Sequence, residues 1–407
     1  MVLGPGGSGV SVAAAAAAAQ RPRARAVQHT QMTAPDRHTL LITLDRRSPI
    51  TSWAGVYRQP GEAVAVTAHL HLLTLERLDL TEQTWSAFVA VLADTLGQSR
   101  IALPGLGRVA EIDAAELTAL PGIEDFLLLR RIRDEAVSGQ WQRIVVDCSG
   151  IGDPSALLRS GAVLAQALNR FWPRHRRLAV AAERPALAAM VAAVDSIDRD
   201  CADIAEVFTD PHAVAVHVVL GADDRGRRLA QPILADLDLM GLPLASVLVN
   251  ESAVGADPAG TVELTAHLDE VLTVRTDDPT VAITVIRRSP EPIDRVARLR
   301  KLGVSFAPPH GRAQGSSSAT VAVLGGSGLD TTFELSWPQL LPEPDRLRLG
   351  RSADDLLVTV SGFRHPVRLP SVLRRCQVVD AAWDGVRLRI RFVPDPAVWP
   401  QSGTGRG

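Results

Sequence analysis

The sequence predicts an α/β protein, a mainly parallel, doubly wound sheet followed by a small antiparallel β domain. Three observations carry that reading. Apolar runs at 39–44, 143–146 and 244–249 end at Asp45, Asp147 and Asn250, as strands buried on both faces do. Stretches with helical periodicity separate these runs, the order expected of repeated strand–helix units. Near the end strict alternation takes over, with Val386, Leu388, Ile390 and Phe392 on one side, the period of a half-exposed antiparallel strand.

Element by element, a glycine-rich turn from Gly4 to Gly9 leads into an alanine-rich helix over about 11–20. A polar loop holding Pro22 and Pro35 follows, then the strand at 39–44. One further strand is expected near 63–74, and helices at 82–96 and 124–137. After the strand at 143–146 the pattern is helical from Pro154 to about Val207, broken near Pro173. Strands at 213–220 and 244–249 flank a helix at 224–240. A last strand at 281–286 precedes a helix at 291–302. Residues 308–320 are rich in Pro, Gly and Ser and read as a linker. The expected division is therefore 1–307, the linker 308–320, a β domain over 321–400 and a disordered tail at 401–407.

Composition bounds the function. The chain has 407 residues, 46% of them hydrophobic, and a net charge of −2. Such a balance gives no bulk electrostatic reason to expect nucleic-acid binding. The longest apolar stretches are about half of the ~20 residues a membrane span needs. Ala13–Ala19 followed by Arg21, Arg23 and Arg25 has the charge order of a secretory signal reversed, leaving an organelle transit peptide as the competing reading; a cytoplasmic protein is expected. Cys148, Cys201 and Cys376 are scattered and imply neither a disulfide framework nor a zinc site. His69, His71 and His217 fall on strands without a second ligand at metal spacing, so structural roles are expected of them.

The residues Gly4, Pro5, Gly6, Gly7, Ser8, Gly9, Val10 and Ser11 match the phosphate-loop pattern G-x-x-x-x-G-K-[ST] everywhere except at the lysine, where Val10 stands. Glycines let backbone N–H groups turn inward around phosphate oxygens, and the following helix adds the positive end of its dipole. Ser11 holds the position whose hydroxyl meets magnesium. Only Met1, Val2 and Leu3 precede the loop, which leaves a late start or a vestigial first strand as alternatives.

This loop resembles the deviant phosphate loop G-K-G-G-x-G-K-[ST] of the arsenical-pump ATPase family, which includes the targeting factor for tail-anchored membrane proteins. The resemblance continues in order along the chain. Residues 41–48, ending Asp45-Arg46-Arg47-Ser48, resemble the family's first switch. Residues 145–153, with Asp147 and Gly152, resemble its second. The stretch from Phe208 to Asn250 resembles the one ending in its adenine-reading asparagine. Residues 369–376 and 384–392 resemble the α-crystallin-like domain of some bacterial members. The resemblance implies a P-loop NTPase fold and ATP or ADP with magnesium. Asp45 would position the attacking water, Ser11 would hold magnesium directly and Asp147 would do so through water. Gly152 would offer its backbone near the γ-phosphate, and Asn250 would contact adenine. It also implies a homodimer, or a heterodimer with an intact paralogous ATPase, and a possible protein client.

The departures bear on activity. Pro5 replaces the signature lysine that crosses the family's dimer, and Val10 replaces the ordinary one. Lys301 is the only lysine in the chain, so drift alone would have left arginine at position 10. Asp153 stands where the family has histidine and adds negative charge near the phosphates. The expectation is a degenerate nucleotide-binding protein with weak or absent hydrolysis. Two alternatives stay open: an active ATPase using Arg46, Arg47, a partner subunit or an upstream segment, and a scaffold that binds no nucleotide. Arsenite transport is not expected, since the chain has one copy and scattered cysteines. The apolar faces carrying Leu157, Leu158, Leu164 and Leu168 are read as core rather than a client groove.

Overall fold

The computed structural model describes residues 1–21, 38–98, 111–120, 122–275 and 281–399. Arg23, Arg25, Pro22, Pro35 and the tail 401–407 lie outside the described residues.

An eight-stranded sheet runs in the order β3-β4-β2-β5-β1-β6-β7-β8. Its strands are β1 (Val2–Leu3), β2 (Thr39–Thr43), β3 (Ala63–Thr67), β4 (Leu70–Thr74), β5 (Arg143–Asp147), β6 (Val216–Gly221), β7 (Leu244–Asn250) and β8 (Ala282–Ile286). All neighbours pair in parallel except β3, which lies antiparallel to β4 at the edge. Short as it is, β1 is fully buried at the centre, with Val2 opposite Asp147 on one side and His217 on the other. That places the loop after β1 between the ends of β5 and β6, where doubly wound sheets bind ligands.

Ten helices are described: α1 (Val10–Ala19), α2 (Ile50–Ala54), α3 (Arg77–Gln98), α4 (Ile123–Val137), α5 (Pro154–Phe171), α6 (Arg174–Glu183), α7 (Ala188–Thr209), α8 (Asp224–Met240), α9 (Pro258–Arg275) and α10 (Val296–Lys301). Beyond Ser11, helix α1 is apolar all round, and Ala13–Ala19 are all buried, as such a helix must be. Its last carbonyls are closed by two cations: Arg143 donates to Ala17, Ala18 and Gln20, and Arg300 to Ala19. Both sit where the helix dipole favours positive charge. No described helix is long and apolar enough to cross a membrane.

Two expectations change, and one helix is new. The single strand near 63–74 is a hairpin, because Ala68 and His69 turn the chain without a glycine or proline to signal it. The helix expected over 291–302 starts only at Val296, since Glu291 precedes Pro292 and is biased away from helical torsions. Helix α9 went unread, although Asp257 and Pro258 open it with a cap and a proline at the first position.

The remaining strands form a second unit. A four-stranded sheet, β14-β15-β10-β9, faces a three-stranded one, β11-β12-β13. They comprise β9 (Thr320–Gly325), β10 (Thr332–Pro338), β11 (Arg348–Ser352), β12 (Asp355–Val360), β13 (Phe363–Arg368), β14 (Cys376–Trp383) and β15 (Arg387–Pro394). Leu388, Ile390 and Phe392 are buried against Trp337, Leu356 and Val358, while Val386 precedes the strand and is exposed. This core includes Ala235 and Leu239 of α8, so the β unit packs directly on that helix. Gln339 donates to the Ala235 carbonyl at 2.9 Å, and the Leu340 N–H donates to Asp238 at 3.1 Å. Helix α5 joins in, with Arg159 donating to the Arg364 carbonyl and Gln166 to Asp355. Within 308–320, Gly315 is buried, and Ser316 and Ser317 donate to the carbonyls of Leu239 and Gly241.

Candidate nucleotide site

The loop is shaped by its own residues and by one distant side chain. Gly9 adopts φ +96°, and a Cβ there would lie 2.3 Å from the Asn250 Nδ2. Only glycine permits both the torsion and the approach. Asn250, 4% exposed at the end of β7, donates from Nδ2 to the Ser8 carbonyl at 2.8 Å and accepts the Ser252 N–H at Oδ1. Ser8 is buried, yet its hydroxyl has no partner. Helix α1 begins with no side-chain cap and no acidic residue in its first turn, so its first N–H groups stay available to an anion.

A hydroxyl relay joins this loop to the buried end of β5. Ser11 Oγ donates to Ser149 Oγ at 2.8 Å, and Ser149 Oγ donates to Asp147 Oδ2 at 3.0 Å. Thr43 adds a bond to the same oxygen, and the Ser149 N–H binds Oδ1. Asp147 is fully buried. Burial raises its pKa, and the bonds from Ser149, Thr43 and Ser11 oppose that rise.

Asp45 follows β2 and is half-buried; its Oδ1 accepts the Arg47 N–H at 2.8 Å. Gly150 presses on it. At φ +72°, a Cβ on Gly150 would fall 2.6 Å from both Cβ and Cγ of Asp45. The two switch-like segments thus meet at that pair. Gly152 is exposed. Asp153 points its carboxylate back to the N–H groups of Ser155 and Ala156, capping α5. Arg46 and Arg47 are exposed, and the Arg46 carbonyl receives the Arg58 guanidinium.

The donors around Ser11 are all oxygens, the chemistry a magnesium ion prefers. No group of three or more His, Cys, Asp and Glu suited to a metal occurs among the described residues. A site built from one hydroxyl, one carboxylate, water and phosphate oxygens does not require such a group, so the residues present fit the ion. All three cysteines are buried. His217 stacks on Phe306 and shares a bond with Ser246, and His71 meets His38 edge-on. Leu157 is fully buried, with Leu158 and Leu164 packed around the same core.

One residue at the loop escaped the sequence reading. Arg225, at the start of α8, donates from Nη1 to the Gly6 carbonyl at 2.7 Å. The only sequence signal was an arginine-rich helix start after an apolar strand. Beside it opens a cleft of about 640 Å³, walled by Pro5–Ser8, by the segment 221–228 and by residues between 254 and 263.

Residues 1–264 match the family described as anion-transporting ATPase. The chain belongs to that family. Residues 332–392 match the HSP20-like domain found in ArsA, in agreement with the second β unit. Relatives of this anion-transporting ATPase family chain include Protein Rv2184c of Mycobacterium tuberculosis, 32% identical over 89% of this chain and 91% of the relative. The uncharacterized protein SCO2128 of Streptomyces coelicolor is 30% identical over 98% of both. A putative arsenical pump-driving ATPase of Chlorobaculum tepidum is 25% identical over 38% of this chain and 41% of the relative.

Proposed function

We propose that the chain binds ATP or ADP with magnesium weakly at the 4–11 loop and acts through conformational change or a protein partner, with hydrolysis weak or absent. The observation that carries this reading is a shaped loop whose lysine positions hold Pro5 and Val10, the latter 5% exposed. Each missing ammonium–phosphate contact weakens binding by roughly 1.5–3 kcal/mol. Transfer suffers more, because a single cation stabilising the transition state can be worth about 10³–10⁵ in rate. Ser11 would hold magnesium directly and Asp147 through water, and the ion would neutralise phosphate charge there.

Asp45 stays in reach of a water-positioning role beside Gly150, and Gly152 supplies open backbone. Asn250 serves the loop in this reading, since its Nδ2 is engaged by the Ser8 carbonyl and its Oδ1 by the Ser252 N–H after β7, and its adenine contact is secondary. A homodimer cannot restore the crossing lysine at position 5, because both copies carry Pro5; a heterodimer with an intact paralogue can.

Calorimetry with MgADP and MgATP followed by a phosphate-release assay tests the proposal. Binding without turnover supports it. Turnover abolished by Asp45→Asn would show an active ATPase instead, and no binding would leave a scaffold.

A further inference from the structure

Four carboxylates line the cleft beside the loop, and each is committed. Asp223 accepts the Gly226 N–H at 2.6 Å, capping α8, and Asp257 accepts the Gly260 N–H at 2.5 Å, capping α9. Asp224 and Glu263 both pair with Arg227. Arg225, Arg227 and Arg228 also line the cleft, and among the described residues Arg225 is the one of the three that bonds the loop itself. Among the described residues its side chain bonds the Gly6 carbonyl alone, and no carboxylate lies within ion-pair distance of it. A guanidinium has five N–H donors in a planar fork, so a single backbone bond leaves most of them unused.

The surroundings point to a ligand. Side chains at Gly6 or Gly7 would meet nothing within 4 Å, so the loop backbone opens onto free space there. Ser8, which also lines the cleft, is 3% exposed and its hydroxyl has no partner. An orphaned buried hydroxyl is costly unless something completes it. The cleft volume of about 640 Å³ falls in the range of small-molecule sites.

We infer that Arg225 is the cation of this phosphate loop, contacting the phosphates of a nucleoside diphosphate from the cleft side in place of the lysines absent at positions 5 and 10. The inference rests on the nucleotide-binding reading above and adds the residue that supplies its charge. The compensation comes from the helix after β6, in the same chain. The Gly6 bond holds Arg225 at the loop, and its free donors turn to phosphate oxygens when the ligand enters.

The test compares calorimetric affinities for MgADP and for AMP in the wild-type protein and in Arg225→Ala, Arg225→Lys and Arg391→Ala, each checked for an unchanged thermal melt. Arg225→Ala should weaken MgADP about tenfold or more and narrow the difference between ADP and AMP. Arg225→Lys should recover part of the loss, and Arg391→Ala, which removes an arginine paired with Glu334 and Asp380 on the β unit, should stay within about twofold. If Arg225→Ala disturbs folding, Arg225→Gln gives the same comparison with the side chain's bulk retained. Equal losses for ADP and AMP would reduce Arg225 to a structural role, and an unchanged MgADP affinity would overturn the inference while leaving nucleotide binding intact. No binding of MgADP by the wild type would remove both readings together.

Discussion

Asn250 donates its side-chain N–H to the Ser8 carbonyl at 2.8 Å, across 242 residues of chain. The bond ties the end of β7 to the loop after β1, with β6 between them in the sheet. It therefore locks the loop to the rigid part of the fold rather than to a neighbouring loop.

Replacing Asn250 tests that lock. Asn250→Ala leaves the Ser8 carbonyl without its buried donor and should cost about 1–3 kcal/mol. Asn250→Asp should cost more, since a carboxylate oxygen then faces a carbonyl oxygen. Urea unfolding reads the stability, and MgADP affinity should fall in both variants. Equal stability of the wild type and Asn250→Ala would show that the loop holds its shape alone.

Gly150 and Gly152 give a paired test of the second switch-like segment. Gly150→Ala meets a positive φ and the Asp45 side chain together, so about 1–2 kcal/mol of destabilisation is expected and Asp45 should move. Gly152→Ala meets open space at an ordinary φ and should stay within about 0.5 kcal/mol of wild type. Similar melts for the two variants would refute the contact between Gly150 and Asp45.

The central sheet was legible because β2, β6, β7 and the end of β5 are buried on both faces and read as mostly apolar runs, interrupted only by such residues as His217 and Ser246. Helix α8 announced itself from Asp224 to Met240 by its periodicity. Strands such as β11, whose residues Arg348–Ser352 include two arginines and a glycine, carry no such pattern; they exist because β12 offers them partners. At the site, motif order pointed to Ser11, Asp45 and Asp147. The Ser11–Ser149 and Arg225–Gly6 contacts span 138 and 219 residues, and topology alone brings them together. Local spacing holds no trace of such pairs.

Placing the motif's lysine at position 10 tests the proposed phosphate contact. Val10 is packed among Val2 and the alanines of α1, so Val10→Lys puts an ammonium beside an apolar cluster. Without ligand the variant should melt lower than wild type. With MgADP it should recover, because the phosphates pair with the new charge, so its ligand-induced rise in Tm should exceed that of wild type. A rise no larger than the wild-type one would mean that position 10 does not face the phosphates.

The contact between α5, α8 and the β unit should titrate near neutral pH. Asp236 of α8 has its pKa pushed up to about 7, chiefly by burial and further by the Asp153 carboxylate; the Ser155 hydroxyl and Arg159 pull it down. An acid whose folded pKa is raised holds its proton in the native state after the unfolded chain has released it. Its effect on stability is therefore smallest in acid, and stability falls as the pH climbs from about 4 through about 7. Asp236→Asn should match the wild type near pH 4 and melt a few degrees higher at pH 8. Burial depresses the His365 pKa to about 4, with Arg159 acting in the same sense, so stability is lost in the opposite direction, as the pH drops from about 6.5 through about 4. Because both variants keep His365, the difference between their pH–Tm curves isolates Asp236. A difference that does not grow with pH would show that Asp236 is already ionised in the folded protein at acid pH.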